Sequence, residues 1–199
     1  MPHVTSPFDT VMAAIDAHNA ADPRRDVVDG VARPREVVYA ERMSACLMRL
    51  YPDASDQLRI ATCAQHIGRW EIPRDRFPLG RDGYNAWRTA CRSHHVALIT
   101  PLMQQAGYPD ADIAQVAKMI RKQELKQDPG SQALENVAAF VFVAYYLADF
   151  AAAHLDHGDD KLVSILRKTM RKMDHHGQAA VRTLRLPPLT QRLVDLASD

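Results

Sequence analysis

The amino-acid sequence predicts an all-α protein, a single domain built as a bundle of about eight helices. Three observations carry that prediction. Capping residues, glycines and prolines cut the chain into segments of helical length. The period-2 alternation of a half-buried strand is missing. One segment, 131–154, is apolar nearly all the way round and reads as the helix at the centre of the bundle.

Ser6-Pro7 opens a first helix over 7–20. A loop with Asp22-Pro23 leads to a second, 34–50, closed by Tyr51-Pro52. Ser55 is the expected N-cap of a helix over 56–67, which Gly68 ends. From Arg69 to Asp82 the chain carries Pro73, Pro78 and Gly80, with Gly83 just beyond, so nothing regular is expected there. A long helix over about 83–106 stops at Gly107, and Asp110 starts another that runs to about 125. "KQDPGS" breaks the chain before Ser131 opens the apolar helix. Helices over 160–173, 176–185 and 190–197 follow, the last two separated by Pro187-Pro188. Without an internal repeat or a long linker, residues 1–199 are expected to form one domain.

Composition narrows the function classes. A chain of 199 residues with 47% hydrophobic and 25% charged residues suits one ordinary folded core. A net charge of +1 argues against general nucleic-acid or membrane-surface binding, so any electrostatic attraction must be local. The opening "MPHVTSPFDTVM" lacks the basic and apolar regions of a signal peptide, and the longest apolar run, Val137 to Ala148, is shorter than a bilayer span. Cys46, Cys63 and Cys91 are isolated and fit small buried residues in a reducing compartment. A soluble, cytoplasmic protein is the expectation.

The stretch "CAQHIGRWEIPRDRFPLGRDGYNAWR", 63–88, concentrates the chemistry. It holds both tryptophans, and Arg69 to Arg92 carries six arginines against three acids. A loop stiffened by Pro73 and Pro78 and bearing Arg69, Arg74, Arg81 and Arg88 reads as a clamp for a small anionic ligand, because guanidinium forks hold phosphate or carboxylate bidentately. Trp70, Tyr84 and Trp87 can stack on a ring. The competing expectation makes the tryptophans core residues and pairs the arginines with Glu71, Asp75 and Asp82. Arg167, Lys168, Arg171 and Lys172 are either a second basic wall or a solvated helix face.

The apolar helix adds a second candidate. From Ser131 to Ala153 it has two charged residues, Glu135 and Asp149. A carboxylate in a core needs a base, a raised pKa or a metal. His66, His94 and His95 are the histidines expected in core helices. Two neutral imidazoles and a carboxylate suit a divalent transition metal such as Fe, Zn or Mn. The candidate ligands are His66, either of His94 and His95, and Glu135 or Asp149. Glu135 and Asp149 cannot share one ion, since fourteen residues of helix separate them by about 21 Å. "HLDHGDD", 154–160, resembles a metal site in composition, yet capping at a helix boundary accounts for it.

The motif at 63–88, with "YAERM" at 39–43, "YPDASDQLRIA" at 51–61, "HHVALI" at 94–99, "QALENVAAFVF" at 132–142 and "LRKTMRKM" at 166–173, resembles domain of unknown function 4202, an uncharacterised family of bacterial and fungal proteins. The family pattern implies functional histidines at His66 and His95, and a Glu-Asp pair where this chain has Glu135-Asn136. The order of separated histidines and acids is similar in outline to the HD superfamily of metal-dependent phosphohydrolases. The chain departs from that superfamily because Val96, not aspartate, follows His95. "LADF" at 147–150 resembles its distant metal-binding aspartate. The resemblance implies a metal-dependent phosphohydrolase acting on a small phosphorylated metabolite or nucleotide. The alternative is a non-catalytic helical module that binds an anionic ligand or a protein partner through residues 69–88.

Overall fold

The computed structural model describes residues 5–154 and 158–198. Ten α-helical segments dominate: α1 (Pro7–Ala20), α2 (Arg35–Leu50), α3 (Asp56–Ala64), α4 (Gly80–Gln105), α5 (Asp110–Arg121), α6 (Pro129–Val141), α7 (Leu147–Ala152), α8 (Gly158–Met170), α9 (His175–Arg182) and α10 (Pro188–Ser198). The all-α expectation holds, and two expected caps are in place, whereas the apolar helix opens at Pro129 behind an Asp128 cap and not at Ser131. Ser6 Oγ accepts from the Asp9 N–H at 3.1 Å, and Ser55 Oγ accepts from the Leu58 N–H at 3.3 Å. The helix over 56–67 ends earlier than expected, at Ala64, and α5 stops at Arg121, where Lys122 turns left-handed (φ +56°).

The sequence reading missed one element. Arg25–Val28 (β1) and Val31–Pro34 (β2) form an antiparallel hairpin in which Val28 faces Val31. Its two-residue turn is Asp29-Gly30, both at positive φ (51° and 79°), the Asp-Gly signature of a tight hairpin. The strands are four residues each, too short to carry an alternation to read, and Val27 and Val31 on them are exposed.

α6 and α7 are one continuous rod, interrupted by a π turn over Phe142–Tyr146. The rod is central: seven successive residues, Ser131 to Val137, are buried. By length and composition Pro129–Ala152 is apolar enough to cross a membrane, and just over half of that window is buried inside the fold. α2, α3, α5 and α9 pack around it, α4 lies against α5, and α8 pairs with α10. The core runs from Val11 and Ile15 through Met43, Leu47 and Ile60 to Ile99, Ile120, Leu134 and Phe140. Burying one such side chain contributes roughly 1.5–3 kcal/mol, and that term opposes the chain entropy of ordering the helices.

A candidate anion-binding site around His66

Five elements meet at the end of α3. α2 brings Glu36 and Tyr39, and the chain leaving α3 brings His66. α4 brings Arg88, Arg92 and His95, the end of α5 brings Lys122, and the second turn of α6 brings Glu135. Gly68 makes the turn possible. It is left-handed (φ +64°), and a Cβ there would lie 2.5 Å from Leu98 Cδ1 and close to the Nε2 atoms of His18 and His94. This turn swings the chain from α3 into two single 3-10 turns, Arg69–Glu71 and Arg74–Arg76, where nothing regular was expected.

His95 is buried, and its Nδ1–H donates to the Ile67 carbonyl at 2.6 Å. That bond sets the tautomer, so Nε2 carries the lone pair. Nε2 has no hydrogen-bond partner among the described residues. Burial, with His66 nearby, pulls its pKa down to about 3, and the imidazole is neutral at any ordinary pH. The His66 ring lies 6.1 Å from that of His95 and stacks on Tyr39, with centroids 3.9 Å apart and planes at 11°. Burial and then Arg69, Lys122, Arg24 and Arg88 hold its pKa well below the usual value. Its Nδ1 is 3.3 Å from Glu36 Oε2. With a neutral imidazole this contact is not an ion pair, and Oε2 is left without a hydrogen bond.

Glu36 is buried with Oε1 2.6 Å from Arg24 Nη2, and Arg24 also binds both oxygens of buried Asp22 at 3.0 Å. Burial still outweighs Arg24 and Arg69, so the Glu36 carboxyl lies above its usual range.

The cations outnumber the acids. Arg69, Arg88 and Arg92 are half-buried, and among the described residues none makes an ion pair within 4 Å. Arg69 lies over the Trp87 ring at 4.6 Å, and Arg88 is 5.9 Å from the Tyr84 centroid. Burial and the neighbouring Arg88 push the Arg92 pKa down. Lys122 pairs with Glu135, and both are largely buried. Their shifts point to an asymmetry. Burial lowers the Lys122 pKa in spite of Glu135, with Arg88 and Arg92 adding to the effect. Burial pushes Glu135 up, but Lys122, Lys172 and Arg88 outweigh it, so its carboxyl falls below the usual value. Glu135 is an anion in a nest of cations.

The sequence-derived candidates divide accordingly. His66, His95, Arg69, Arg88 and Glu135 share this neighbourhood, and Trp87 packs beside Arg69 with its Nε1–H donated to the Ile72 carbonyl at 2.9 Å. His94 is turned away: its Nε2 is 2.8 Å from Glu71 Oε2, while His18 Nε2 is 2.9 Å from the other oxygen. Glu71 therefore fastens the loop through two histidines, not through the arginines. Arg74 donates to the Phe77 and Pro78 carbonyls and braces the loop from within. Arg81 is exposed, Tyr84 is 44% exposed, and Trp70 sits half-buried with its ring 5.4 Å from that of His18. Asp149 is exposed on α7, outside the group. Glu135 meets a lysine, and among the described residues no group of three His, Cys, Asp or Glu side chains is arranged to hold a metal. Residues 155–157 of the "HLDHGDD" stretch lie outside the described residues, and Asp159 pairs with Arg192.

Asn136, about 100° round the helix from Glu135, donates to the Tyr51 hydroxyl at 2.7 Å and Asp174 Oδ1 at 2.8 Å, and accepts from the Asp174 N–H at 3.1 Å. It ties α6 to the start of α9.

Sequence reasoning missed Glu36, Tyr39, Arg92 and Lys122. Arg92 was legible, four residues from Arg88 and three from His95 on one helical face. Lys122 and Glu36 carry no local signal.

The fold and site define an all-helical domain with a cation-rich cluster beside two neutral histidines. The family described as a domain of unknown function, DUF4202, matches residues 9–194, and the chain belongs to it. No curated protein and no solved structure matches the chain.

Proposed function

We propose that the chain binds a small phosphorylated anion at the cationic cluster beside His66. One observation carries this reading: Arg69, Arg88 and Arg92 are half-buried without a carboxylate partner, next to a lysine that Glu135 only partly offsets. Partly desolvated guanidinium groups repel one another unless an anion joins them, and a phosphate oxygen is the acceptor that their planar forks fit. Calorimetric titration with orthophosphate and pyrophosphate at low salt tests it. Replacing Arg88 and Arg92 together by methionine removes charge-assisted hydrogen bonds worth about 1.5–3 kcal/mol each, a loss of at least tenfold in affinity. A parent protein that takes up neither anion at millimolar concentration refutes the reading.

A second reading has its own support. His95 Nε2 presents an unpartnered lone pair while Nδ1 is anchored on a backbone carbonyl, the arrangement that orients a histidine ligand toward a metal. His66, also neutral, is the adjacent imidazole. On this reading the protein is a metal-dependent phosphohydrolase, in outline like the HD superfamily, acting on a phosphorylated metabolite or nucleotide. Fe, Zn or Mn would be held by His66 and His95, with a carboxylate freed from its present partner, and would supply an activated water. The arginines would hold the phosphate. Elemental analysis of the untagged protein, with His66→Ala and His95→Ala, is the test. Near-stoichiometric metal lost in both variants supports hydrolysis, and an empty parent that ignores added metal removes it.

A further inference from the structure

Six buried side-chain polar atoms among the described residues lack a hydrogen-bond partner, and three of them surround the Tyr39–His66 stack: Glu36 Oε2, His95 Nε2 and the Tyr146 hydroxyl. The other three, on Asn19, Ser131 and Gln132, are not part of this cluster. Buried polar atoms are nearly always paired, so a concentration of unpaired ones marks a place where something else is bound. Glu36 and His95 are each at least 98% buried, which leaves no bulk water to satisfy them.

The three atoms state what they need. Glu36 Oε2 is a carboxylate oxygen with its twin already on Arg24. His95 Nε2 is an acceptor because the proton sits on Nδ1. Tyr146 is carried by the π turn, its ring 6.0 Å from that of Tyr39. Arg42 lies over the face of the Tyr146 ring at 5.1 Å, and its charge bears on the hydroxyl, so the case rests on Glu36 Oε2 and His95 Nε2. A π turn inserts one residue into a helix and re-aims the side chains around it, often at functional positions. Two acceptors call for a ligand that brings donors. An ammonium group would stand in the field of Arg24, Arg69, Arg88 and Lys122, all of which bear on His66. An uncharged hydroxyl meets no such repulsion.

We propose that the ligand is a hydroxylated phosphate ester, a phosphorylated polyol or sugar, whose hydroxyls donate to Glu36 Oε2 and His95 Nε2 while Arg69, Arg88 and Arg92 hold its phosphate. This rests on the anion reading above and adds the substrate class. Arg69 joins the two halves: it acts electrostatically on Glu36, His66 and His95 while lying against Trp87 on the loop side.

The test compares three small probes on the full chain by calorimetry: orthophosphate, propyl phosphate and glycerol 3-phosphate. The last two have the same carbon skeleton and differ in two hydroxyls. A site built to accept hydroxyl donors rejects the analogue that lacks them, so glycerol 3-phosphate should bind at least about tenfold tighter than propyl phosphate. His95→Phe puts a phenyl in place of the imidazole, removing the Nε2 lone pair together with the Nδ1–H bond to the Ile67 carbonyl. It should cut the preference for glycerol 3-phosphate over propyl phosphate to below about threefold. The comparison of probes on the parent protein stands even where a variant fails to fold. Equal affinity for glycerol 3-phosphate and propyl phosphate overturns the hydroxyl subsite, leaves the anion site standing, and assigns the unpaired atoms to ordered water. Failure of all three probes to bind overturns both.

Discussion

Replacing Glu135 by glutamine tests the electrostatic design of the site directly. Glu135 is 6% exposed, and its carboxylate answers Lys122 with Lys172 and Arg88 close enough to hold it ionised. The amide keeps the shape and removes the charge, which strands a buried ammonium beside Arg88 and Arg92. Breaking a buried pair from one side costs about 3–5 kcal/mol. For a chain of this size each kcal/mol moves Tm by about 2–4 °C, so Glu135→Gln should melt roughly 6–20 °C below the parent. Lys122→Met should cost less than half as much, because the more distant charges of Lys172 and Arg88 still act on Glu135. Urea unfolding at pH 7 measures both. The carboxyl of Glu135 lies below its usual value of 4.5 in the folded state, so its contribution is complete above that pH. It fades as pH falls through the folded value, and the gap between parent and Glu135→Gln should close in acid. Orthophosphate should stabilise Glu135→Gln more than the parent, since it supplies the missing anion. The reasoning is refuted if Glu135→Gln unfolds within about 0.5 kcal/mol of the parent, or if Lys122→Met is the more damaging change.

Three further outcomes follow from the geometry. His66 and His95 are neutral in the fold and protonate on unfolding, so stability should fall as pH drops below their usual value of 6.5, by up to about 1.4 kcal/mol per pH unit for each; stability in His95→Phe should show the shallower pH slope. Gly68→Ala combines a positive φ with a Cβ 2.5 Å from Leu98 Cδ1, so it should cost at least about 1–3 kcal/mol and expose the loop at 69–79 to limited proteolysis. Asn136→Asp sets a second carboxylate against Asp174 Oδ1, 2.8 Å from the present amide nitrogen. It should destabilise the protein by about 1–3 kcal/mol at pH 7, with recovery at acid pH where the pair shares a proton.

Much of the fold was legible because its causes are local. Ser6 and Ser55 cap the helices that follow them, Gly107 follows the end of α4, and the first half of the apolar segment 131–154 is buried. The β1–β2 hairpin is equally local, since Asp29-Gly30 is a two-residue turn signal, but its four-residue strands are too short to show alternation. The π turn at Phe142–Tyr146 leaves no trace in periodicity, because the residues on both sides are apolar.

The site shows where local reading stops. By itself the sequence determined that a histidine closely follows α3, that arginines crowd the stretch after it, and that Glu135 and Asp149 are the two charges on an apolar segment. All three follow from residue type and spacing along one segment. Helical periodicity could not choose between the adjacent His94 and His95, and only the family resemblance pointed to His95. The tertiary structure separated them by giving His94 to Glu71 and His95 to the Ile67 carbonyl. It also supplied the partner of Glu135 from Lys122, thirteen residues away across a left-handed turn, and brought Glu36 to His66 from α2. Charge, burial and pKa belong to what surrounds a group within a few ångströms, and in a helical bundle most of those neighbours come from other segments of the chain.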